Sequence, residues 1–261
     1  IRVDRGELTR NEIIRVAANR FLNDGYTKTT VASMAKSLNM STGNMTFYFP
    51  TKDHMLAELV DMLGKYQWDL MENEAKEENG SVMAICLELL TIASACEQDE
   101  IAKDFFLSSY RSELCMERIR RNDKKRAKEV FKKYCVDWKD EYFEEAEILI
   151  SGIEYATLFT TPDSAPLEIR VNGALRTILS IYNVPKEIRD EKIKKVLSMN
   201  YQKLGLDPKL DYSHAAIGIL TVSPAETAVI TADIALKSSG AELGFVDRFS
   251  GTLIVTGTVS E

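Results

Sequence analysis

Histidine is almost missing from this sequence: His54 and His214 are the whole supply in 261 residues. Imidazole is the side chain most often used as a general base near neutral pH, so acid–base catalysis has little to draw on. The four cysteines, Cys86, Cys96, Cys115 and Cys135, form no C-x-x-C pair and lie far apart, which removes the ligand spacing of a zinc site. Each sits in a helix-like stretch, where a reduced thiol behaves as a small hydrophobe, so buried thiols and a cytoplasmic setting are expected. There is no nucleophile–base–orienter set and no phosphate-cradling glycine loop, so no catalytic residue, metal or cofactor is expected. Also missing is any run near the ~18 uninterrupted apolar residues that a membrane span needs. The opening residues, Ile1 to Arg10, lack the apolar core of a secretory signal, and no membrane partner is expected.

What is present is a globular composition, 45% apolar and 28% charged, with a net charge of −7. That acidity argues against a protein that coats nucleic acid over its whole surface, but a local basic head stays open. From Thr9 to about Leu204 the apolar residues recur at three- and four-residue spacing, which reads as successive amphipathic helices. From about Ala215 short β-branched runs, small residues and glycines take over, with one helical stretch between them. The expectation is a mainly α chain in three parts: residues 1–50, residues 51–204, and a small incomplete α/β segment over 205–261.

Thr9-Arg10-Asn11-Glu12 has the form of a capping box, so a helix is expected to start at Thr9, to bury Ile13, Ile14, Ala17, Ala18, Phe21 and Leu22, and to stop at Asp24-Gly25. Thr30 can cap a short helix with Val31, Met34, Ala35 and Leu38 inward. Asn39-Met40 then turns into a second cap at Ser41, and Pro50-Thr51 opens a longer helix from Lys52 through Leu63. Two short helices across a tight turn are the geometry that lets the second enter a DNA major groove. The candidate contacts are Thr29, Thr30, Ser41, Thr42, Asn44, Thr46, Tyr48 and Lys52, whose polar groups suit base edges or phosphates, with Gly43 leaving room for close approach. Residues 1–60 hold eight Lys or Arg against six Asp or Glu, the sign that phosphate contacts need. The alternative is a plain three-helix packing unit.

The run FLNDGYTKTTVASMAKSLNMSTGNMTFYFPTKDHML resembles the DNA-binding signature of TetR/AcrR-type regulators. The likeness rests on Gly25-Tyr26, Thr29-Thr30-Val31, Ala35, Met40-Ser41-x-Gly43 and Tyr48-Phe49 before Lys52. Thr46 departs from it, standing where the family commonly carries an aromatic phosphate contact. The resemblance implies a helix-turn-helix DNA-binding domain and a helical ligand-binding and dimerisation domain. It implies a homodimer on a double-stranded, pseudo-palindromic operator, released by a small-molecule effector, and a repressor's role.

Further helices are expected over Ser81–Glu97, Glu100–Arg111, Ser112–Tyr134, Glu141–Phe159, Pro166–Tyr182 and Pro185–Leu204. The run from Ile148 to Phe159 is apolar almost all round, which suits a helix between subunits. Glu154 on it is either a pocket group or a rim carboxylate, and the rim is favoured because charged residues are seldom buried unpaired. Trp68, Met83, Phe105, Phe106 and Phe131 could line a pocket, although core is the more frequent role. The basic run from Arg118 to Lys128 is expected to be the solvated side of its helix.

In the tail, Ser223-Pro224-Ala225-Glu226 is a second capping box, flanked by strand-like runs at Ala216–Val222, Leu243–Phe249 and Thr252–Val259. The string AAIGILTVSPAETAVITADIALKSSGAELGFVDRFSGTLIVTGTVSE resembles bacterial microcompartment shell domains of the permuted ethanolamine- and propanediol-utilisation type. That resemblance implies hexameric tiling, shell proteins as partners, Lys237 near subunit edges and Phe249-Ser250-Gly251 near a pore. It also supplies an alternative function for the chain, that of a shell-associated structural protein.

Overall fold

The computed structural model describes residues 5–74, 80–198, 215–221, 242–247 and 252–258. The chain divides into two compact units, Ile1–Gly205 and Leu206–Glu261.

The described part of the first unit is helical throughout. Its elements are α1 (Arg5–Asn23), α2 (Val31–Ser37), α3 (Thr42–Tyr48), α4 (Lys52–Glu74), α5 (Gly80–Gln98), α6 (Glu100–Arg111), α7 (Glu113–Phe131), α8 (Asp140–Leu158), α9 (Leu167–Ile181) and α10 (Lys186–Leu197). Side-chain caps start several of them. Asp99 accepts the Ile101 amide at 2.8 Å to open α6, and Ser112 caps α7 through the Cys115 amide, satisfying amides that have no partner inside the helix. Asn183, at φ 54°, ends α9 in the left-handed conformation that Asn tolerates.

One expected boundary fails. α1 begins at Arg5, so Thr9–Glu12 lies inside the helix rather than capping it. Adding residues to an existing helix costs far less than nucleating one, and Glu7 in the first turn favours the extension. Leu22, expected in the apolar stripe, is 54% exposed.

Two cores organise this unit. The first joins Ile13, Ala17 and Phe21 of α1 to Met34, Ala35, Met45, Phe49 and Leu56, and takes Phe105 from α6 and Cys115 from α7. The second gathers Cys86 and Leu90 of α5, Phe131 of α7, Ile150 of α8 and Val171, Leu175 and Leu179 of α9. α5 is apolar and long enough to pass for a membrane span by composition, yet Val82, Cys86, Leu90 and Ala93 on it are buried in that core. All four cysteines are buried and unbonded.

The second unit holds β1 (Ala215–Thr221), β2 (Glu242–Asp247) and β3 (Thr252–Thr258). They form an antiparallel sheet in the order β1-β3-β2. Ile219 pairs with Ile254, Thr221 and Asp247 both pair with Thr252, and the β2–β3 register is irregular between Leu243 and Phe245. The helix expected after Ser223, Lys237 and the Phe249–Gly251 turn lie outside the described residues.

Candidate nucleic-acid interface and inner cavity

α2 and α3 are two seven-residue helices joined by a turn through Asn39, whose φ of 51° permits the sharp reversal. Thr30 and Ser33 form a reciprocal capping box at the start of α2, and Ser41 accepts the Asn44 amide at 3.1 Å to start α3. Met34, Ala35 and Met45 are buried beneath the pair. Thr42, Gly43 and Asn44 are exposed, so the first turn of α3 points away from the core.

The eight candidate contact residues fall into distinct places. Thr42 and Asn44 lie outward. Thr30 and Ser41 are exposed, but their hydroxyls already serve as caps. Thr46 is half-buried and its hydroxyl donates to the Gly43 carbonyl at 3.1 Å. Tyr48 is half-buried against the first core.

Two of the eight are turned inward. Thr29 is 4% exposed and its hydroxyl donates to the Gly25 carbonyl at 2.7 Å, because the loop between α1 and α2 needs its buried carbonyls satisfied. The Lys52 ammonium donates to the carbonyls of Tyr26 and Thr29 at 2.8 and 2.9 Å and lies 3.9 Å from the Tyr26 ring centre. Its burial lowers its pKa, against the pull of Asp53. These two residues shape the loop.

That loop is also held from below. Gly25 takes φ +91°, and a Cβ there would stand 3.1 Å from Asp104 Oδ2. Asp104, on α6, accepts from both the amide and the hydroxyl of Thr27. Arg10 of α1 makes a bidentate pair with Glu58 of α4 at 2.9 and 2.8 Å. The interface therefore rests on α4 and α6.

Behind those helices lie two small voids of about 50 and 40 Å³. The first is walled by Val60 and Leu63 of α4, Ile92 of α5 and Phe105 and Phe106 of α6. The second reaches Arg126, Glu154, Leu158 and Leu175, and both touch Glu88, Tyr110 and Asp123. Glu154 is thus a half-buried residue on the wall of the second void. The Tyr110 hydroxyl donates to it at 2.9 Å, and burial, then the charge of Asp123, holds its carboxyl well above the usual range.

The basic run on α7 is only partly solvated. Arg126 is buried, pairing with Glu88 at 2.7 Å and Asp123 at 3.1 Å, and Arg118 pairs with Asp61 of α4. Burial also raises Asp123 to about 6 and Glu147 to about 8. The Tyr182 hydroxyl donates to Glu147, and its ring stacks on Phe131 at 4.1 Å. Of the apolar pocket candidates, Phe105 and Phe106 line the first void, Phe131 is core, Met83 packs at the core's edge, and the Trp68 side chain lies outside the described residues.

Two short helices across a tight turn, braced on a larger helical body, have the helix-turn-helix geometry. Residues 13–59 match the family model for bacterial regulatory proteins of the tetR family, and residues 216–261 match the BMC domain model. The two matched regions lie in separate units of the chain. The fold is similar to that of FadR from Thermus thermophilus, a TetR-family transcriptional repressor solved with lauroyl-CoA. The TM-score is 0.53 at 18% identity, covering 68% of this chain and 96% of that one. The tail is 48% identical over 60 residues to the microcompartment shell protein PduU of Salmonella typhimurium, covering 23% of this chain and 48% of that protein. It is 54% identical over 44 residues to EutS of Escherichia coli K12, covering 17% and 40%. The chain spans about half the length of the curated relatives it matches. The families matched are a regulator and a shell protein, not enzymes.

Proposed function

We propose that this chain is a cytoplasmic, DNA-binding transcriptional repressor that grips a pseudo-palindromic operator as a homodimer and is released by a small-molecule effector. The observation that carries this reading is the outward first turn of α3, where Thr42, Gly43 and Asn44 are exposed over a floor of Met34, Ala35 and Met45. In the DNA complex Thr42 and Asn44 meet base edges, Tyr48 and the helix-capping segments at Thr30 and Ser41 meet phosphates, and Thr29 and Lys52 hold the loop that aims them.

Dimerisation is assigned to α8 and α9. Ile148 and Leu149 on α8, Phe159 just after it and Ile169 on α9 are 46–63% exposed. Gly152 and Gly173 offer open space beside them, with nothing within 4 Å of a built Cβ. Exposed apolar residues of this size on neighbouring helices are what a subunit interface covers.

The effector is assigned to the paired voids. Their volumes, about 50 and 40 Å³, are far below the ~300–1,000 Å³ of ligand pockets, so an effector must push helices apart to enter. α6 carries both Phe105 and Phe106 in the wall and Asp104 on the loop, so displacing it moves the reading head. An effector then shifts the population toward dimers whose heads no longer match successive grooves, roughly 34 Å apart.

A second reading is favoured by the microcompartment match alone: the tail assembles with shell proteins. The mass in solution separates the two, a dimer supporting the regulator and a hexamer or sheet supporting the shell component. The regulator itself is tested by selecting bound sequences from random duplex DNA. Recovery of two related half-sites supports it, and recovery of no common sequence overturns it.

A further inference from the structure

The centre of α3's outward face is a residue that does not figure among the polar contact candidates. Phe47 is 81% exposed, the largest value for a large apolar side chain among the described residues. At 100° per residue, the positions opposite buried Met45 are Gly43 and Phe47, one turn apart on the same stripe. A Cβ on Gly43 would find nothing nearer than Ser41 Oγ at 4.0 Å, so the space over that glycine is open. The Phe47 side chain does not fill it, since no Phe47 side-chain atom comes within 4 Å of that position. The ring is braced edge-to-face on half-buried Tyr48, with centroids 5.3 Å apart at 89°.

An aromatic ring held in this way gains little from folding and much from being covered by something apolar. Thr46, its neighbour, spends its hydroxyl on the Gly43 carbonyl, which leaves Phe47 as the dominant projection of the helix between Thr42 and Asn44. In a major groove the apolar group on a base-pair edge is the thymine C5-methyl. We infer that Phe47 is a specificity-determining residue that reads thymine methyl groups in the operator. This rests on α3 being the DNA-reading helix, and it assigns an apolar contact to a face otherwise described by hydrogen bonds.

The test uses the full chain and duplexes carrying the sequence that it selects. Each thymidine is replaced in turn by deoxyuridine, which removes the methyl and keeps the hydrogen-bonding edge. At one or two positions per half-site the wild-type Kd should rise about fourfold, the worth of one buried methyl group. Phe47→Ala should bind more weakly yet be indifferent to the same replacements, with an unchanged thermal melt showing that the surface substitution leaves the fold intact. Wild-type binding unaffected by every replacement, or Phe47→Ala equally sensitive to them, would overturn the inference while leaving DNA binding standing. Failure to select any sequence would overturn both.

Discussion

Asp104 on α6 grips Thr27 in the loop between α1 and α2: the Thr27 amide donates to Oδ2 at 2.7 Å, and the Thr27 hydroxyl donates to Oδ1. The next residue on α6, Phe105, lines the inner cavity. One helix therefore touches both the reading head and the space assigned to the effector. Asp104→Ala should loosen the loop and cut this link. Amide exchange at Thr27 and Thr29 should quicken at least about tenfold, the low end of the effect of losing one hydrogen bond to a charged group. Unchanged exchange would remove α6 from the coupling.

Lys52 should behave as a loop anchor. Lys52→Met removes two ammonium bonds, to the carbonyls of Tyr26 and Thr29. The group is partly exposed, so the loss of stability should be about 1–2 kcal/mol, read by urea denaturation. A stability equal to the wild type would return Lys52 to the surface role that its position in the sequence suggests.

Glu147 and Asp123 set a pH dependence. Burial lifts Glu147 from 4.5 to about 8 and Asp123 from 3.8 to about 6. Charge from Asp123 adds to the first shift, while Tyr182, Arg126 and Arg120 oppose it. The folded chain then binds more protons than the unfolded chain across these windows, so stability falls as pH rises from about 4.5 toward 8. Glu58 has the opposite sign: its bond from Arg10 holds its carboxyl low, so its contribution is lost in acid below the usual carboxylate range. Melting temperature should peak on the mildly acidic side, and Glu147→Gln should flatten the decline toward pH 8. A wild-type optimum above pH 8 would contradict the buried placement of these carboxyls.

Ile148 and Leu149 are 55% and 52% exposed on α8. Charging them in the double variant Ile148→Glu, Leu149→Glu should give a folded monomer by sedimentation, with helical circular dichroism retained. Operator affinity should then fall by at least about 100-fold, because two linked half-site contacts become one. A variant that stays dimeric would move the interface elsewhere.

Much of the helical order was legible in the sequence because caps and periodicity are local. Thr30 and Ser41 cap the helices that follow them, as their place in the sequence suggests, and Met34 and Ala35 face inward at the spacing expected. What escaped depends on partners distant in sequence. Lys52 reads as a surface cation until Tyr26 and Thr29 are brought under it, 26 and 23 residues earlier. Arg126 reads as part of a solvated basic run until Glu88 arrives from α5. Glu154 is favoured as a rim group by the rule that unpaired charge stays out, yet Tyr110, 44 residues away, gives it a partner. Phe47 was visible only as an apolar letter in a seven-residue helix, too short for its periodicity to tell inside from outside.

The central claim is that Thr42 and Asn44 face a duplex while Met34, Ala35 and Met45 support them from behind. Its most direct test is the affinity of the wild-type chain and of the Asn44→Ala and Thr42→Ala variants for a selected duplex and for an unrelated one, at one fixed salt concentration. The wild type should prefer the selected duplex by roughly 10³-fold or more, and each variant should lose about 1–3 kcal/mol of that preference while keeping its affinity for the unrelated duplex. Equal wild-type binding to both duplexes, or variants that discriminate as well as the wild type, would contradict it.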